Sequence, residues 1–220
     1  MSGGTRGLVL AVASWAVLAG AMRAADIETR DFAVLVSGKH AGEVHMTIEK
    51  DKAGAVTVRT DTDIKVAVLL SSYKYIFRGR ETWKDKRLAR LDSNTDDNGK
   101  RYLVSAAAGA DGLKVKANDA ERTVKAEAWT DTYWSLPDPK LRDAELTVLD
   151  ADSGKDATGK LAFVATEKHR VAGQEVTLNH YRFTGKSTVE LWYDGHDRLV
   201  RREWTELGHK TTMVLVRVRR

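Results

Sequence analysis

An antiparallel all-β fold, a meander of about 12 strands forming a strongly curved sheet, half-barrel or barrel, is what this sequence predicts. Three observations predict it. Apolar and polar residues alternate with a period of two through almost every segment. Turn signals such as Asp51-Lys52-Ala53-Gly54, Asn98-Gly99, Asp111-Gly112, Asn118-Asp119 and Gly208-His209 punctuate those segments at short intervals. The chain has only 2 prolines, Pro137 and Pro139, both in one place, so little of it is barred from pairing in a sheet.

In chain order, residues 1–25 read as a cleaved signal peptide. Arg6 supplies the positive start, GLVLAVASWAVLAGAM is an uncharged apolar run, and small residues at Ala19 and Ala21 offer a cleavage site, with Ala24 and Ala25 as alternatives. The run is shorter than the roughly 20 residues a membrane-spanning helix needs. A first β half is expected over 26–135, a Pro-containing connector over 136–146 in which LRDAEL could form a helical turn or two, and a second β half over 147–220. Val56, Val58, Thr60, Thr62, Ile64, Val66 and Val68 share one parity, while Thr57, Arg59, Asp61, Asp63 and Lys65 share the other. That is a strand with one apolar and one polar face. GEVHMTIEK, GLKVKAN, RTVKAEA, GKLAFVATEK, EVTLNHYRF and TTMVLVRVRR follow the same rule.

The halves resemble each other. Tyr75-x-Phe77-x-Gly79 returns as Tyr181-x-Phe183-x-Gly185, and ETWKDKRLAR at 81–90 returns as ELWYDGHDRLVR at 190–201. An internal duplication within one domain is the economical account. A two-residue turn at Asp85-Lys86 sets Trp83 opposite Leu88 and Glu81 opposite Arg90. The longer loop of the second copy sets Trp192 opposite Leu199 and Glu190 opposite Arg201. The expected role of both motifs is a brace, with Glu81–Arg90 and Glu190–Arg201 as structural ion pairs. Alternatively, Glu81 and Glu190 meet around a pocket, where an inward carboxyl with a raised pKa could serve acid–base chemistry. Tyr75, Phe77, Trp83, Tyr181, Phe183 and Trp192 are the candidate ligand-binding residues: they either fill a core or line a cavity for an apolar ligand.

Composition narrows the chemistry. The 220 residues include no cysteine, which excludes disulfides, thiolate metal sites, a Cys nucleophile and a lipid-modified cysteine. The net charge of +5 comes from 36 basic and 31 acidic residues spread through the strands, and nucleic-acid binding would want a basic stripe with interleaved aromatics. Asp92-x-Asn94-x-Asp96 and Asp150-x-Asp152-x-Gly154 begin like calcium loops but fail at later positions. Six histidines show no metal-binding spacing, and no nucleophile elbow, Walker loop or dinucleotide fingerprint is present. No metal, cofactor or catalytic residue is expected.

A leader followed by this meander, with Gly-Lys-x-x-Gly-Glu-Val-His at 38–45, Tyr75-x-Phe77, Glu81-x-Trp83, Leu191-Trp192-Tyr193-Asp194 and Arg198-Leu199-Val200-Arg201, resembles an uncharacterised family of secreted bacterial β-sheet proteins, a domain of unknown function. More distantly, the curved single sheet is similar to periplasmic lipoprotein carriers of the LolA/LolB type. That likeness implies a concave face that holds acyl chains; unlike them, this chain shows no clear helices to close the mouth. The expectation is an exported soluble envelope protein, periplasmic or secreted, that binds a lipophilic or amphipathic ligand or partner on a concave sheet. Its partners would be a lipid, another apolar small molecule or an envelope protein, with no nucleic acid and no integral membrane segment after cleavage. The alternatives are a structural or protein-interaction β module with a filled core, and a hydrolase using Glu81 and Glu190.

Overall fold

A computed structural model describes residues 26–68, 71–171, 173–206 and 208–220; the leader read at 1–25 lies outside them. Fifteen strands form: β1 (Asp26–Val36), β2 (Lys39–Lys50), β3 (Val56–Val68), β4 (Ser71–Lys84), β5 (Arg87–Asp97), β6 (Lys100–Gly109), β7 (Gly112–Ala117), β8 (Ala120–Val124), β9 (Trp129–Thr130), β10 (Glu145–Leu149), β11 (Asp156–Val171), β12 (Gln174–Thr184), β13 (Thr188–Tyr193), β14 (Leu199–Glu206) and β15 (His209–Arg219). They make one sheet in the order β8-β7-β6-β5-β4-β3-β2-β1-β15-β14-β13-β12-β11-β10-β9. All neighbours are antiparallel except β9 and β10. The strand count exceeds the expected dozen partly through short pieces such as β9. The helical turns expected in the connector shrink to one 3-10 turn, Pro139–Leu141, which Asp138 caps through its side chain.

The turns form where the residues permit left-handed backbone. Asn98 (φ 50) and Gly99 (φ 92) close β5 onto β6, and Asp85 (φ 49) and Lys86 (φ 62) close β4 onto β5. Two such residues in sequence make the mirror-image turn whose twist matches that of the strands it joins.

Curvature follows from connectivity. Fifteen strands laid flat at about 4.8 Å spacing would put the outer edges some 65 Å apart. Yet edge strands β8 and β9 are joined only by residues 125–128, a link that reaches at most about 18 Å. The sheet must therefore coil until its edges approach. Backbone pairing does not close it, since β8 and β9 are not neighbours in the ladder. Side chains span the seam instead: Arg122 Nε donates to Asp156 Oδ1 (2.9 Å) and Lys125 Nζ to Glu145 Oε1 (2.8 Å).

The concave face is filled by the chain itself. Ala128, Trp129, Tyr133 and Leu136 belong to the same buried cluster as Phe32, Val34, Met46, Leu91, Leu191 and Leu199. The connector in the structure is the whole segment between β8 and β10, residues 125–144, longer than the 136–146 expected, and its residues 131–136 are held from several walls. Arg30 of β1 donates to the Trp134 carbonyl, Arg202 of β14 to the Asp131 carbonyl (2.8 Å) and the Tyr193 hydroxyl of β13 to the Tyr133 carbonyl (3.2 Å). From β4, Trp83 meets Trp134 edge-on with ring centroids 6.1 Å apart. An irregular segment buried this way must find partners for its backbone groups, and these side chains supply them.

Candidate functional site

The two copies of the repeated motif do not superimpose. In the first, Trp83 faces Leu88 as its turn dictates, but the register then shifts and Glu81 faces Leu91 while Thr82 faces Arg90. In the second, Trp192 faces Arg201 and Tyr193 faces Leu199, again with a register shift between them. Tyr193 thus occupies the place of Trp83, and Leu191 the place of Glu81. A slip of one residue sends a side chain to the opposite face. Glu81 and Trp83 point inward at 1% and 6% exposure, whereas Glu190 and Trp192 lie on the outer face.

Both proposed ion pairs are therefore corrected. Arg90 bonds Asp92 on the surface (2.5 Å), and Arg201 bonds Glu203 (3.0 Å). Glu190 takes His180 Nε2 (2.7 Å) and Arg182 Nε (2.6 Å). A pocket shared by Glu81 and Glu190 is excluded by the same geometry, because the sheet lies between them. Exposed ion pairs contribute about 0–1 kcal/mol, so Arg90→Ala should leave the thermal midpoint within about 2 °C of wild type in a calorimetric melt. A large drop would restore the Glu81–Arg90 brace.

Glu81 is the unusual residue. Trp83 Nε1 (2.7 Å) and Thr130 Oγ1 (3.1 Å) meet its Oε2, and Thr132 Oγ1 (2.8 Å) meets its Oε1. Burial pushes its pKa up to about 7 even though all three bonds oppose the rise. It ties β4 to the connector.

Three more carboxyls gather beside the connector. Asp131 Oδ1 accepts from Ala151 N (2.8 Å). Asp150 Oδ1 accepts from Asp152 N (3.0 Å) and Ser153 N (3.2 Å), and its Oδ2 from Ser153 Oγ (3.0 Å). Asp152 Oδ2 accepts from the Tyr75 hydroxyl (3.0 Å). Burial, then the Asp150 charge, pushes Asp131 up to about 7; burial, then the bond and charge of Asp150, pushes Asp152 up to about 9. Burial works to raise Asp150 as well, but its donors hold it below the ordinary value.

Arg202 faces this group with its guanidinium 4.7 Å from the Tyr133 ring centre and 4.3 Å from that of Trp204. Its Nε is buried without a partner. Tyr133 itself sits at φ 50, a left-handed conformation that is an outlier for a bulky side chain and costs on the order of 1 kcal/mol or more.

The aromatic candidates divide in the same way. Phe77 and Phe183 fold back over the glycines two residues on: a Cβ at Gly79 would lie 2.4 Å from the Phe77 ring, and one at Gly185 3.0 Å from the Phe183 ring. The repeated Tyr-x-Phe-x-Gly is thus a ring covering a bare stretch of strand. Tyr181 stands edge-on to Tyr193 (6.1 Å), and Tyr75 reaches the β10–β11 turn through Asp152. These four and Trp83 fill the interior. Trp192 is buried too, at 7% exposure, but points to the other side of β13, where it stacks on His180 at 4.2 Å and donates to Glu167 Oε2 (3.1 Å). His169 Nε2 meets that same oxygen (2.7 Å), and Glu167 is held down to about 2 by His169 first and Trp192 second. Sequence reasoning passed over Thr130, Asp131 and Thr132, set His180 aside with the other histidines, and set Asp150 and Asp152 aside as a failed calcium loop; the signal for Thr130 to Thr132 was adjacency to the one segment that breaks the strand pattern.

The arrangement could exchange protons near neutrality at Glu81 and Asp131, but neither faces open space. Two shallow depressions of the surface are lined by Arg80, Thr82, Arg90 and Asp92, and by Leu103 to Ser105 with Lys116, Asn118 and Asp119. Neither contains the inward carboxyls. Among the described residues no group of three or more His, Asp or Glu is placed to hold a metal ion.

The family model for a domain of unknown function, DUF6134, matches residues 32–216. The chain belongs to the DUF6134 family. No curated protein matches it. Among solved structures, the DUF6134 chain is similar to the crystal structure of a β-barrel-like protein, of domain of unknown function DUF1849, from Brucella abortus. The TM-score is 0.60 at 9% identity, over 87% of this chain and 95% of that one. Such a likeness concerns the fold, and it agrees with a sheet coiled almost into a barrel. The likeness to LolA/LolB-type carriers is not shown by these comparisons.

Proposed function

We propose that this chain is a non-catalytic β module of the bacterial envelope that acts through its outer surface, as a structural or protein-interaction part, and that it reaches the envelope by export. The observation that supports this over a lipophilic carrier is the filled interior. Phe77, Trp83, Tyr181 and Phe183, the residues that would line an apolar groove, are each at most 7% exposed and lie in one cluster with Trp129, Tyr133 and Leu136 from the chain's own connector. A groove already occupied by covalently attached side chains offers an acyl chain no apolar surface to cover. No helix among the described residues is long and apolar enough to cross a membrane.

Dye binding tests the reading. The folded chain should leave the emission of an anilinonaphthalene dye unchanged at neutral pH and should not bind palmitate in calorimetry. Saturable binding of either by the folded chain would return the concave face to the role of carrier. Export is tested separately, by expressing the full chain in a bacterium and reading the amino terminus of the released protein: a start just after Ala21, Ala24 or Ala25 is expected.

A further inference from the structure

We propose that the β10–β11 turn, residues 150–155, is a proton-dependent latch on the barrel wall: it is seated while Asp131 and Asp152, beside the Asp150 carboxylate, keep their protons, and it loosens when those protons are lost. The inference rests on the geometry of this turn and stands whether or not the surface-acting reading above is right.

The turn is seated by short-reach contacts. Ser93 Oγ donates to the Ala151 carbonyl and Thr95 Oγ1 to the Asp152 carbonyl (2.8 Å), both from β5. Tyr75 of β4 holds the Asp152 carboxyl, and Asp131 on the connector holds the Ala151 N–H. Arg122 of β8 donates to the Gly154 carbonyl and to Asp156, so the same turn closes the seam between the sheet edges. A Cβ at Gly154 would lie 2.7 Å from that of Ala117 and 3.3 Å from Val104; the seat is tight.

The charges around it do not balance. Facing the cluster are Tyr73 and Tyr75 from β4, the uncharged Ser93 and Thr95 from β5, Asp131 and Tyr133 from the connector, Asp150 and Asp152 from the turn, Arg122 from β8 and Arg202 from β14. Arg122 is turned to Gly154 and Asp156 at the seam, and Arg202 spends its Nη1 on a backbone carbonyl. Three ionised carboxylates would thus confront one partly engaged guanidinium in a half-buried space, where like charges repel with little screening. Protonation of Asp131 and Asp152 removes that repulsion. Both are held protonated well above the range of an ordinary aspartate, to about 7 and about 9, so the seat weakens from about pH 4, where the carboxyls of an unseated turn ionise, up to about pH 9, and Asp152 carries the part above 7. Glu81 of β4, which accepts from Thr130 and Thr132, moves in the same direction.

Lys155 is exposed inside the turn and Lys52 is exposed in the distant β2–β3 turn, which gives a ratio readout. With trypsin on the full folded chain, cleavage after Lys155 relative to cleavage after Lys52 should rise about five-fold or more between pH 6.5 and pH 9. The Lys52 site cancels the protease's own pH dependence. In Asp152→Asn the ratio should stay flat. A wild-type ratio constant within two-fold overturns the latch, and so does an Asp152→Asn chain whose ratio climbs like wild type. Should that variant not fold, carboxyl 13C NMR of the wild-type chain decides: Asp131 or Asp152 titrating above about pH 6 supports the latch, and both below it overturn it.

Discussion

Glu81→Ala should lower the thermal midpoint by about 10 °C, the largest loss expected from removing any single carboxyl of this chain. The substitution strands the Trp83 indole N–H and the Thr130 and Thr132 hydroxyls, all of which end on this carboxyl. Leaving buried polar groups without partners costs about 1–3 kcal/mol each, less where the two hydroxyls can turn to one another. A total of about 3–5 kcal/mol corresponds to about 6–20 °C in a chain of this length. Glu81→Gln should behave otherwise. Its amide oxygen can take the Trp83 and Thr130 bonds while its amide nitrogen donates to Thr132, which reproduces the protonated acid.

The pH dependence then has a definite sign. Burial raises Glu81 to about 7 in the folded chain, while the unfolded chain releases that proton near pH 4.3. As pH climbs from about 4 to 7 the unfolded state therefore gains by ionising first, and wild-type stability falls until the folded carboxyl also ionises. Glu81→Gln has no proton to lose and should match wild type near pH 5 but exceed it at pH 9. Melts across that range check this. A Gln variant as damaged as the Ala variant at every pH would mean that the negative charge itself is required.

Gly42→Ala is expected to be nearly as harmful, at about 3 kcal/mol or more. Gly42 pairs with Ile64 on one side and with Val34 on the other, next to the register shift that leaves Ala41 unpaired. A Cβ there would lie 2.0 Å from the Asp63 carbonyl oxygen and 2.8 Å from the Ile64 Cα. Those are backbone atoms, so no side chain can step aside and the β2–β3 ladder has to part. Gly79→Ala is the control. The three atoms nearest to its Cβ would all belong to the Phe77 ring, a side chain that can move at a smaller cost. Denaturant melts showing Gly42→Ala milder than Gly79→Ala would refute the assignment. The same contact gives a physical reason for the Gly-Glu-Val-His cue at 42–45: its glycine is where two strands touch.

Much of the fold was legible because strands and mirror-image turns are local. The alternation of Val56 to Val68 and the Asn98-Gly99 pair depend on few neighbours, and the structure places β3 and the β5–β6 turn where they predict. Turn arithmetic also gave Trp83 opposite Leu88, one step beyond a two-residue turn. It failed at the next pair, because one extra residue enters β5 at Ala89 and no residue type there announces it. In the second copy the extra residue, Val200, stands at the same place in the motif as Ala89, but the longer loop has already set Leu199 opposite Tyr193, and Trp192 turns outward. Identical letters therefore serve different faces, and the Glu–Arg braces inferred from them do not form.

The sequence by itself determined that this chain is a long antiparallel meander without thiol chemistry, because period and turn residues act over two to four positions. Tertiary structure alone decided that residues 128–136 lie inside the coiled sheet and that Glu81, Asp131 and Asp152 share their surroundings. Those carboxyls come from β4, the connector and the β10–β11 turn. Only the approach of the two sheet edges, set by how far a four-residue link can reach, brings them into a space too dry for their charges.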